Sequence, residues 1–389
     1  MNKGFPRTRI SLILALLSLI AAGLWISGAG AAPTGSANYI VVLKQSAGSP
    51  SAVAAEQTQH LSGKVNHVYR HVLRGYSARL SANAVRALRN DPRVAYVERD
   101  RIFRASITQP NATWGLDRID QRSRPLSGTY SYTNSGTGVT AYIIDTGISF
   151  DHDEFGGRVT SGYDSVDGGS ADDCNGHGTH VAGTVGGSTY GVAKEVSLVA
   201  VRVLNCSGSG TTSGVIAGID WVTGSHQAGS PAVANMSLGG SASTALDDAV
   251  RRSIADGVSY AVAAGNGNFS GRQANACKQS PARVAEAMTI SATDSTDRKA
   301  SWANYGNCVD WFAPGVSITS SWYTSDTATN TISGTSMATP HTAGVAAQYL
   351  QTNAGASPAT VRTALYDLTT KDIVTSSNTA NNHLLFTNF

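Results

Sequence analysis

The chain has 389 residues, enough for two or three domains with a substantial core, and a formal net charge of +3. That charge is unevenly distributed: residues 33–104 carry eleven Lys and Arg against four acidic residues, whereas residues 105–389 carry 15 basic and 22 acidic residues. The basic side chains are spread out and show no RNA-binding signature, so we expect no nucleic-acid partner but an oppositely charged partner within the chain. The four cysteines include no Cys-x-x-Cys pair, which argues against zinc.

The N-terminus has the pattern of a secretory signal peptide. Lys3, Arg7 and Arg9 precede the apolar run 10–26, and residues 29–31 (Ala-Gly-Ala) supply a small-residue cleavage site. An uncleaved membrane anchor is the alternative interpretation. No second long apolar segment follows, so we expect a secreted, extracellular, monomeric protein without a membrane partner once the signal is removed. In that compartment the cysteines should form two disulfides, for which three pairings are possible.

The next segment predicts the order β-α-β-β-α-β of a small ferredoxin-like α+β unit. Its second helix should end at Asp91, because proline disfavours a helical conformation in the residue before it. Residues 101–112 show no clear periodicity and are interpreted as a linker. The predicted strands are 38–44, 65–73, 75–80 and 94–97, and the predicted helices are 51–62 and 82–90.

Short apolar runs then alternate with helical patterns. Continuous apolar runs are typical of buried parallel strands, and the alternation predicts an α/β fold whose parallel sheet is flanked by helices. Gly257 is expected to cap one of the helices. The strand runs are 139–144, 198–204, 233–238, 259–264 and 288–292, and the helical patterns are 213–222, 244–255, 338–350 and 358–368.

Three motifs each place a reactive side chain among glycines. Residues 143–147 read Ile-Ile-Asp-Thr-Gly, residues 175–183 read Asn-Gly-His-Gly-Thr-His-Val-Ala-Gly, and residues 333–340 read Ser-Gly-Thr-Ser-Met-Ala-Thr-Pro. Their chain order, Asp then His then Ser, is the order that subtilisin uses among the unrelated folds with this triad. Together the motifs resemble the subtilisin-like serine proteases, most closely the proteinase K branch and its aqualysin-like members.

The resemblance implies a serine endopeptidase with a catalytic triad. Ser336 would be the nucleophile at a helix N-terminus, where Pro340 is tolerated only in the first turn. His177, the first histidine of its motif, would be the general base, while His180 would be a packed histidine. Asp145 would orient the imidazole from the carboxyl end of a buried strand.

The family pattern also implies an oxyanion hole, in which Asn266 would donate together with the Ser336 backbone N–H. Two glycine-containing segments would pair with extended peptide substrate, and small uncharged residues would line a pocket for large apolar or aromatic side chains. The segments are Gly208, Ser209 and Gly210, and Ser237, Leu238 and Gly239; the pocket residues are Ala263, Ala264 and Gly265.

Resemblance to aqualysin-like enzymes implies two disulfides and structural Ca²⁺ as the cofactor. The disulfides would be Cys174–Cys206 and Cys277–Cys308, each closing a loop of about thirty residues. Oxygen ligands of the kind that calcium prefers recur in two sets, although each acid could equally be a solvated surface charge. The first set is Asp310 with the carbonyls of Ala285 and Ala287, and the second is Asp117, Asp120, Gln121 and Ser127.

Residues 75–78 (Gly-Tyr-Ser-Ala) and 97–100 (Val-Glu-Arg-Asp) resemble the inhibitory propeptide of these proteases. We therefore expect a signal peptide (1–31), an inhibitory propeptide (32–104) and a catalytic domain (105–389), with self-cleavage near 104–107. The freed propeptide would act as an intramolecular inhibitor. A lipase or esterase needs a Gly-x-Ser-x-Gly elbow, which Ser336 lacks. A catalytically silent peptide-binding protein on the same fold is the remaining alternative.

Overall fold

The computed structural model describes residues 36–100, 106–267 and 272–389. The expected signal peptide and part of the expected processing region, 101–105, lie outside the described residues. The chain divides into two compact units, residues 1–103 and 104–389. Within the described ranges, no helix is both long enough and apolar enough to cross a bilayer.

The first unit has the predicted β-α-β-β-α-β order. Its four strands form an antiparallel sheet in the order β2-β3-β1-β4, which confirms the ferredoxin-like prediction. Tyr76 is buried in the core of this unit, and its hydroxyl donates to Gln57 Oε1 at 2.8 Å. The elements are β1 Ser36–Leu43, α1 Pro50–His60, β2 Lys64–Tyr69, β3 Gly75–Ser81, α2 Ala82–Arg89 and β4 Val94–Arg99.

The second unit is built on a seven-stranded parallel sheet in the order β15-β14-β12-β10-β7-β9-β8, which confirms the predicted α/β class. Its strands are β5 Ile107–Pro110, β6 Thr129–Tyr132, β7 Thr140–Asp145, β8 Val159–Asp164, β9 Ser197–Arg202, β10 Ala232–Met236, β11 Gly240–Ser241, β12 Ser259–Ala263, β13 Gln279–Ser280, β14 Met288–Thr293, β15 Trp311–Pro314, β16 Ile318–Ser321 and β17 Thr329–Ile332. Its helices are α3 Trp114–Ile119, α4 His177–Gly186, α5 Thr212–Ser225, α6 Thr244–Asp256, α7 Thr335–Thr352 and α8 Pro358–Leu368.

The central strands are buried on both faces, as their continuous apolar runs predicted. In β7, Ile143 packs into the core beneath α4 and α7, whereas Ile144 packs into the core beneath α5 and α6. Gly257 caps α6 as expected, with φ of +124° and its N–H donating to the carbonyls of the last turn. From β7 the chain first forms the edge strand β8 and then β9 on one side, and it continues with β10, β12, β14 and β15 on the other side, so β7 and β10 lie at a topological switch point.

Two predictions about local structure are wrong. The expected linker contains β5, which pairs antiparallel with β6, because a short strand without strong periodicity is stabilised by its partner rather than by its own pattern. Helix α7 begins at Thr335, so Pro340 is its sixth residue and lies in the second turn rather than the first.

Candidate active site

Asp145 is the last residue of β7, and its side chain is fully buried. Its Oδ1 accepts hydrogen bonds from His177 Nδ1 at 2.7 Å and from the Thr146 backbone N–H at 2.8 Å. Within the described part of the chain, Oδ2 has no partner. A buried carboxylate bonded to one imidazole nitrogen leaves the opposite nitrogen, Nε2, free to exchange protons.

His177 is the first residue of α4, and its side chain is 26% exposed. The glycines beside it are required: a Cβ on Gly178 would lie 2.1 Å from the Gly147 carbonyl oxygen, and Gly176 has φ of +103°. Burial acts to lower the pKa of His177, but the charge and hydrogen bond of Asp145, with the nearby charge of Asp173, outweigh burial and raise this pKa.

The neighbouring histidines do not share this environment. His180 and His341 are both buried, and burial lowers the pKa of each to about 4. His180 Nε2 lies 3.0 Å from the Ile318 carbonyl oxygen, and His341 Nδ1 lies 2.9 Å from the Met337 carbonyl oxygen. Both are therefore neutral packing residues at ordinary pH, as the sequence predicted for His180.

Ser336 is the second residue of α7 and is 8% exposed. Its Oγ donates to the Ser237 carbonyl oxygen at 3.0 Å, and no hydrogen bond joins it to His177. Its own carbonyl oxygen accepts from Ser237 Oγ at 2.8 Å. In an uninterrupted helix that carbonyl would accept the N–H of residue 340, which proline lacks, so Ser237 replaces the missing helical donor.

Asn266 follows β12 and faces the start of α7. Its Oδ1 accepts from both the backbone N–H and the Oγ1 of Thr335, each at 2.8 Å. Two donors on one atom identify that atom as the oxygen, so Nδ2 points to the other side. A Cβ placed on Gly334 would lie 3.4 Å from Asn266 Nδ2 and 3.5 Å from the Ser336 backbone nitrogen, so the two nitrogens lie near the same point beside Gly334.

A cavity of about 780 Å³ lies between the two expected substrate segments, residues 208–210 and 237–239, and His177 is one of the residues that line it. Residues 208–210 lie at the end of a turn in which the Gly208 N–H donates to the Asn205 carbonyl oxygen, and residues 237–239 directly follow β10; neither segment is a regular strand in this structure. Ala263, Ala264 and Gly265 are not among the lining residues and instead form the end of β12 and the turn before Asn266. The lining residues include Leu204, Gly208, Ser209, Gly210, Val215, Ser237, Leu238, Gly239 and Leu246.

Asp173 was missed by the sequence analysis. Its carboxylate accepts from the N–H groups of Asn175 and Gly176, from Thr146 Oγ1, and from both the N–H and Oγ1 of Thr179. It thereby ties the segment after Asp145 to the first turn of α4. The hydrogen bond from the Asn175 N–H to the Asp173 carboxylate, two residues earlier, forms an Asx-turn. The sequence signal for this turn was an Asp two residues before Asn-Gly.

The two expected calcium sets differ in how well they fit a cation. Around Asp310, the Thr289 N–H donates to Oδ2 at 2.8 Å, and the Arg362 guanidinium donates to Oδ1 and forms an ion pair with the carboxylate. The positive charge of Arg362 would repel a second cation at this carboxylate. This arrangement, with its arginine, does not fit calcium. The carbonyls of Ala285 and Ala287 belong to the loop before β14.

The second set does fit a cation. Asp117 accepts from Ser127 and Gly128, and Gln121 Oε1 also accepts from Ser127, so these oxygens are gathered in one place. Asp120 Oδ1 is buried without a partner among the described residues. Burial, with the nearby Asp117 charge, raises the pKa of Asp120 to about 6. A divalent cation would satisfy that oxygen and stabilise the ionised carboxylate.

Both disulfides join the expected cysteines. Cys174–Cys206 spans 32 residues and Cys277–Cys308 spans 31 residues. The first links the segment before His177 to the segment before Gly208, and Asn175 Nδ2 adds a 2.9 Å hydrogen bond to the Cys206 carbonyl oxygen. Two walls of the cavity are therefore covalently tied to each other.

Comparison with known proteins places this geometry in a family. Residues 136–385 match the model of the Subtilase family, and residues 38–106 match the model of Peptidase inhibitor I9. The "Extracellular serine proteinase" of Thermus sp. (strain Rt41A) is 57% identical over 338 residues, covering 86% of this chain and 81% of that protein. The "Alkaline serine exoprotease A" of Vibrio alginolyticus is 52% identical over 365 residues, covering 90% of this chain and 67% of that protein.

A solved structure agrees. The crystal structure of a cold adapted subtilisin-like serine proteinase superposes with a TM-score of 0.68 at 56% sequence identity, covering 71% of this chain and 98% of that chain. The chain therefore belongs to the subtilase family, as an extracellular serine endopeptidase with an I9-type propeptide domain on the N-terminal side of its catalytic domain.

Proposed function

We propose that this subtilase hydrolyses peptide bonds with Ser336 as nucleophile, His177 as general base and Asp145 as the group that orients His177. The observation that carries the proposal is the 2.7 Å bond between Asp145 Oδ1 and His177 Nδ1, at the edge of the same cavity as Ser237. That bond presents Nε2 as the proton acceptor. The Ser336 hydroxyl then turns from the Ser237 carbonyl to His177 when substrate is bound.

The proposed chemistry has two stages. Ser336 Oγ attacks the scissile carbonyl carbon while its proton passes to His177 Nε2, and Asn266 Nδ2 with the Ser336 N–H donates to the oxyanion. The C–N bond breaks as His177 returns the proton to the leaving amine. Water then hydrolyses the acyl-enzyme through the same groups. Asp145 stays ionised throughout and stabilises the imidazolium.

Substrate would bind as an extended peptide between residues 208–210 and 237–239. Leu204, Val215 and Leu246 make part of this cavity apolar, and this supports a preference for substrates with large apolar side chains. We also propose that the enzyme acts as a monomer and that its I9-type domain is the intramolecular inhibitor, cut from the chain near residues 104–107.

Subtilases commonly bind structural calcium, and we propose that this chain does so at Asp117, Asp120, Gln121 and Ser127. The buried, unpartnered Asp120 Oδ1 supports that assignment. Bound calcium would neutralise two neighbouring carboxylates there, which stabilises the fold without entering the reaction. The arginine beside Asp310 argues against the other set.

The test compares the wild type with Ser336→Ala, each expressed with its propeptide, by gel and intact mass. Maturation of the wild type to a form that begins near residues 105–108, with the variant remaining a precursor, supports Ser336 as the nucleophile of self-processing. Equal maturation of both would mean that another protease makes the cut. If the purified wild type then hydrolyses no peptide and takes no label from a serine-directed reagent, the chain is the silent peptide-binding protein instead.

A further inference from the structure

Asn304 is a fully buried side chain that none of the proposed chemical steps uses. Its Oδ1 accepts from the backbone N–H groups of Gly267 at 2.9 Å and Ala274 at 2.8 Å. Its Nδ2 donates to the Ala264 carbonyl oxygen at 2.8 Å and to Gln279 Oε1 at 2.9 Å. The amide therefore uses both of its protons and two acceptor positions, and it holds four separate groups at once.

These bonds surround Asn266 without touching it. Ala264 lies two residues before Asn266, and Gly267 is the residue after it. The Asn304 backbone N–H adds a third link, donating to the Gly265 carbonyl oxygen at 3.0 Å. Residue 304 therefore contacts Ala264, Gly265 and Gly267, the backbone on both sides of the proposed oxyanion donor.

The turn that carries Asn266 is weakly determined by its own sequence. Gly265 and Gly267 have φ of +99° and +87°. Glycine adopts positive and negative φ values about equally readily, so these two residues do not themselves hold the backbone in this conformation. A Cβ on Gly265 would lie 2.5 Å from both Asn304 Nδ2 and Gln279 Oε1, so the amide of Asn304 fills the space beside that glycine. The rigidity of the turn must come from outside it.

We propose that Asn304 is a positioning residue for oxyanion stabilisation in this enzyme. Its amide holds the 264–267 turn, and the turn holds Asn266 Nδ2 where charge develops on the substrate oxygen. An oxyanion donor needs placement within about 0.5 Å, which a turn with a glycine on each side of the donor does not provide alone. The inference rests on the proposed role of Asn266.

The role predicts a specific kinetic pattern. Asn266 strengthens its bond only as the oxyanion forms, so loosening it should lower kcat and leave KM nearly unchanged. Losing the equivalent donor in subtilisin itself costs about 10²–10³ in kcat, and this sets an upper bound on what Asn304 can contribute through Asn266. We expect Asn304→Ala to lower kcat by about 10- to 100-fold.

The experiment is a double-mutant cycle on the mature enzyme with a chromogenic peptide: wild type, Asn304→Ala, Asn266→Ala and the double variant. If Asn304 acts through Asn266, its replacement lowers kcat strongly in the wild type and less than about threefold in the Asn266→Ala background. An equal fold-loss in both backgrounds, or an unchanged kcat in the single variant, overturns the inference.

Asn134→Ala is the matched control. Asn134 is also a buried amide of this unit, donating to the Gln348 carbonyl oxygen at 2.8 Å, but its contacts lie at the far end of α7. It should lose stability while kcat is retained. If Asn304→Ala does not fold, Asn304→Asp keeps both acceptor bonds and enters the same cycle. Residual hydrolysis by Ser336→Ala, read in the same assay, tests the proposed function separately.

Discussion

Ser237→Ala tests the interpretation of Pro340. The Ser237 hydroxyl occupies the place of the helical donor that Pro340 cannot supply, at 2.8 Å from the Ser336 carbonyl oxygen. Removing it leaves a buried acceptor unsatisfied, which costs about 1–3 kcal/mol. For a unit of this size each kcal/mol lowers Tm by about 2–4 °C, so the expected decrease is about 2–12 °C.

The informative step is a second substitution. Pro340→Ala restores a backbone N–H one helical turn after Ser336, and in the Ser237→Ala background it should recover much of the lost stability. The two changes should then show a coupling energy of about 0.5–3 kcal/mol. Thermal unfolding of the four proteins, carried out in the inactive Ser336→Ala background to prevent self-digestion, measures that coupling directly.

Ser253→Ala provides the control for this cycle. Ser253 is a buried serine of α6 whose Oγ accepts a hydrogen bond from the Tyr260 hydroxyl at 2.9 Å, away from α7. Its destabilisation should be unaffected by Pro340→Ala. If Pro340→Ala merely adds its own effect to that of Ser237→Ala, the Ser336 carbonyl does not depend on Ser237 and the reasoning is refuted.

Three further results are expected. His177 must be neutral to accept a proton, so kcat/KM should fall as pH decreases through the raised pKa of His177. Asp173→Asn removes one of the charges that raise this pKa, so it should move the acid limb of the pH profile of kcat/KM to lower pH. Replacing Cys174 and Cys206 together with serine should cost about 3–4 kcal/mol, measured by denaturant unfolding, and a loss below about 1 kcal/mol would show that the closed loop constrains little. In calcium-free buffer, the stability of the wild type relative to Asp120→Asn should decrease as pH rises from about 4 to 6, because the folded wild type holds a proton on Asp120 that its unfolded state releases. Asp120→Asn should also abolish any gain in Tm on adding calcium.

Burial determined which strands could be predicted from the sequence. Strands such as β7 and β12 are buried on both faces, so their apolar runs were visible in the sequence. Strand β8 lies at the sheet edge and reads Val-Thr-Ser-Gly-Tyr-Asp, so its pattern is mixed and the strand was missed. Strand β5 is stabilised by pairing with β6, which periodicity along one segment does not reveal.

The residues of the site also divide into those that a local sequence motif indicates and those that only distant contacts reveal. Asp145, His177 and Ser336 stand in local motifs that contain glycines, so all three could be named as candidates from the sequence, and the predicted contact between Asp145 and His177 is present. Asn304 stands in no such motif, and its amide partners lie between 25 and 40 residues away along the chain. The replacement of the proline's missing donor by Ser237 was hidden for the same reason, since a contact across 99 residues leaves no local pattern.

The position of the site at the switch point also affects when activity can arise during folding. The three groups that we propose as catalytic come from residues 145, 177 and 336, and the elements that carry them come together only after parallel strands with long crossover connections have paired and α7 has packed onto them. Such non-local contacts form late, because each requires a large loop to be closed first. A nascent or partly folded chain therefore lacks an assembled nucleophile and base, and it cannot cleave its unfolded neighbours before its own sheet is complete.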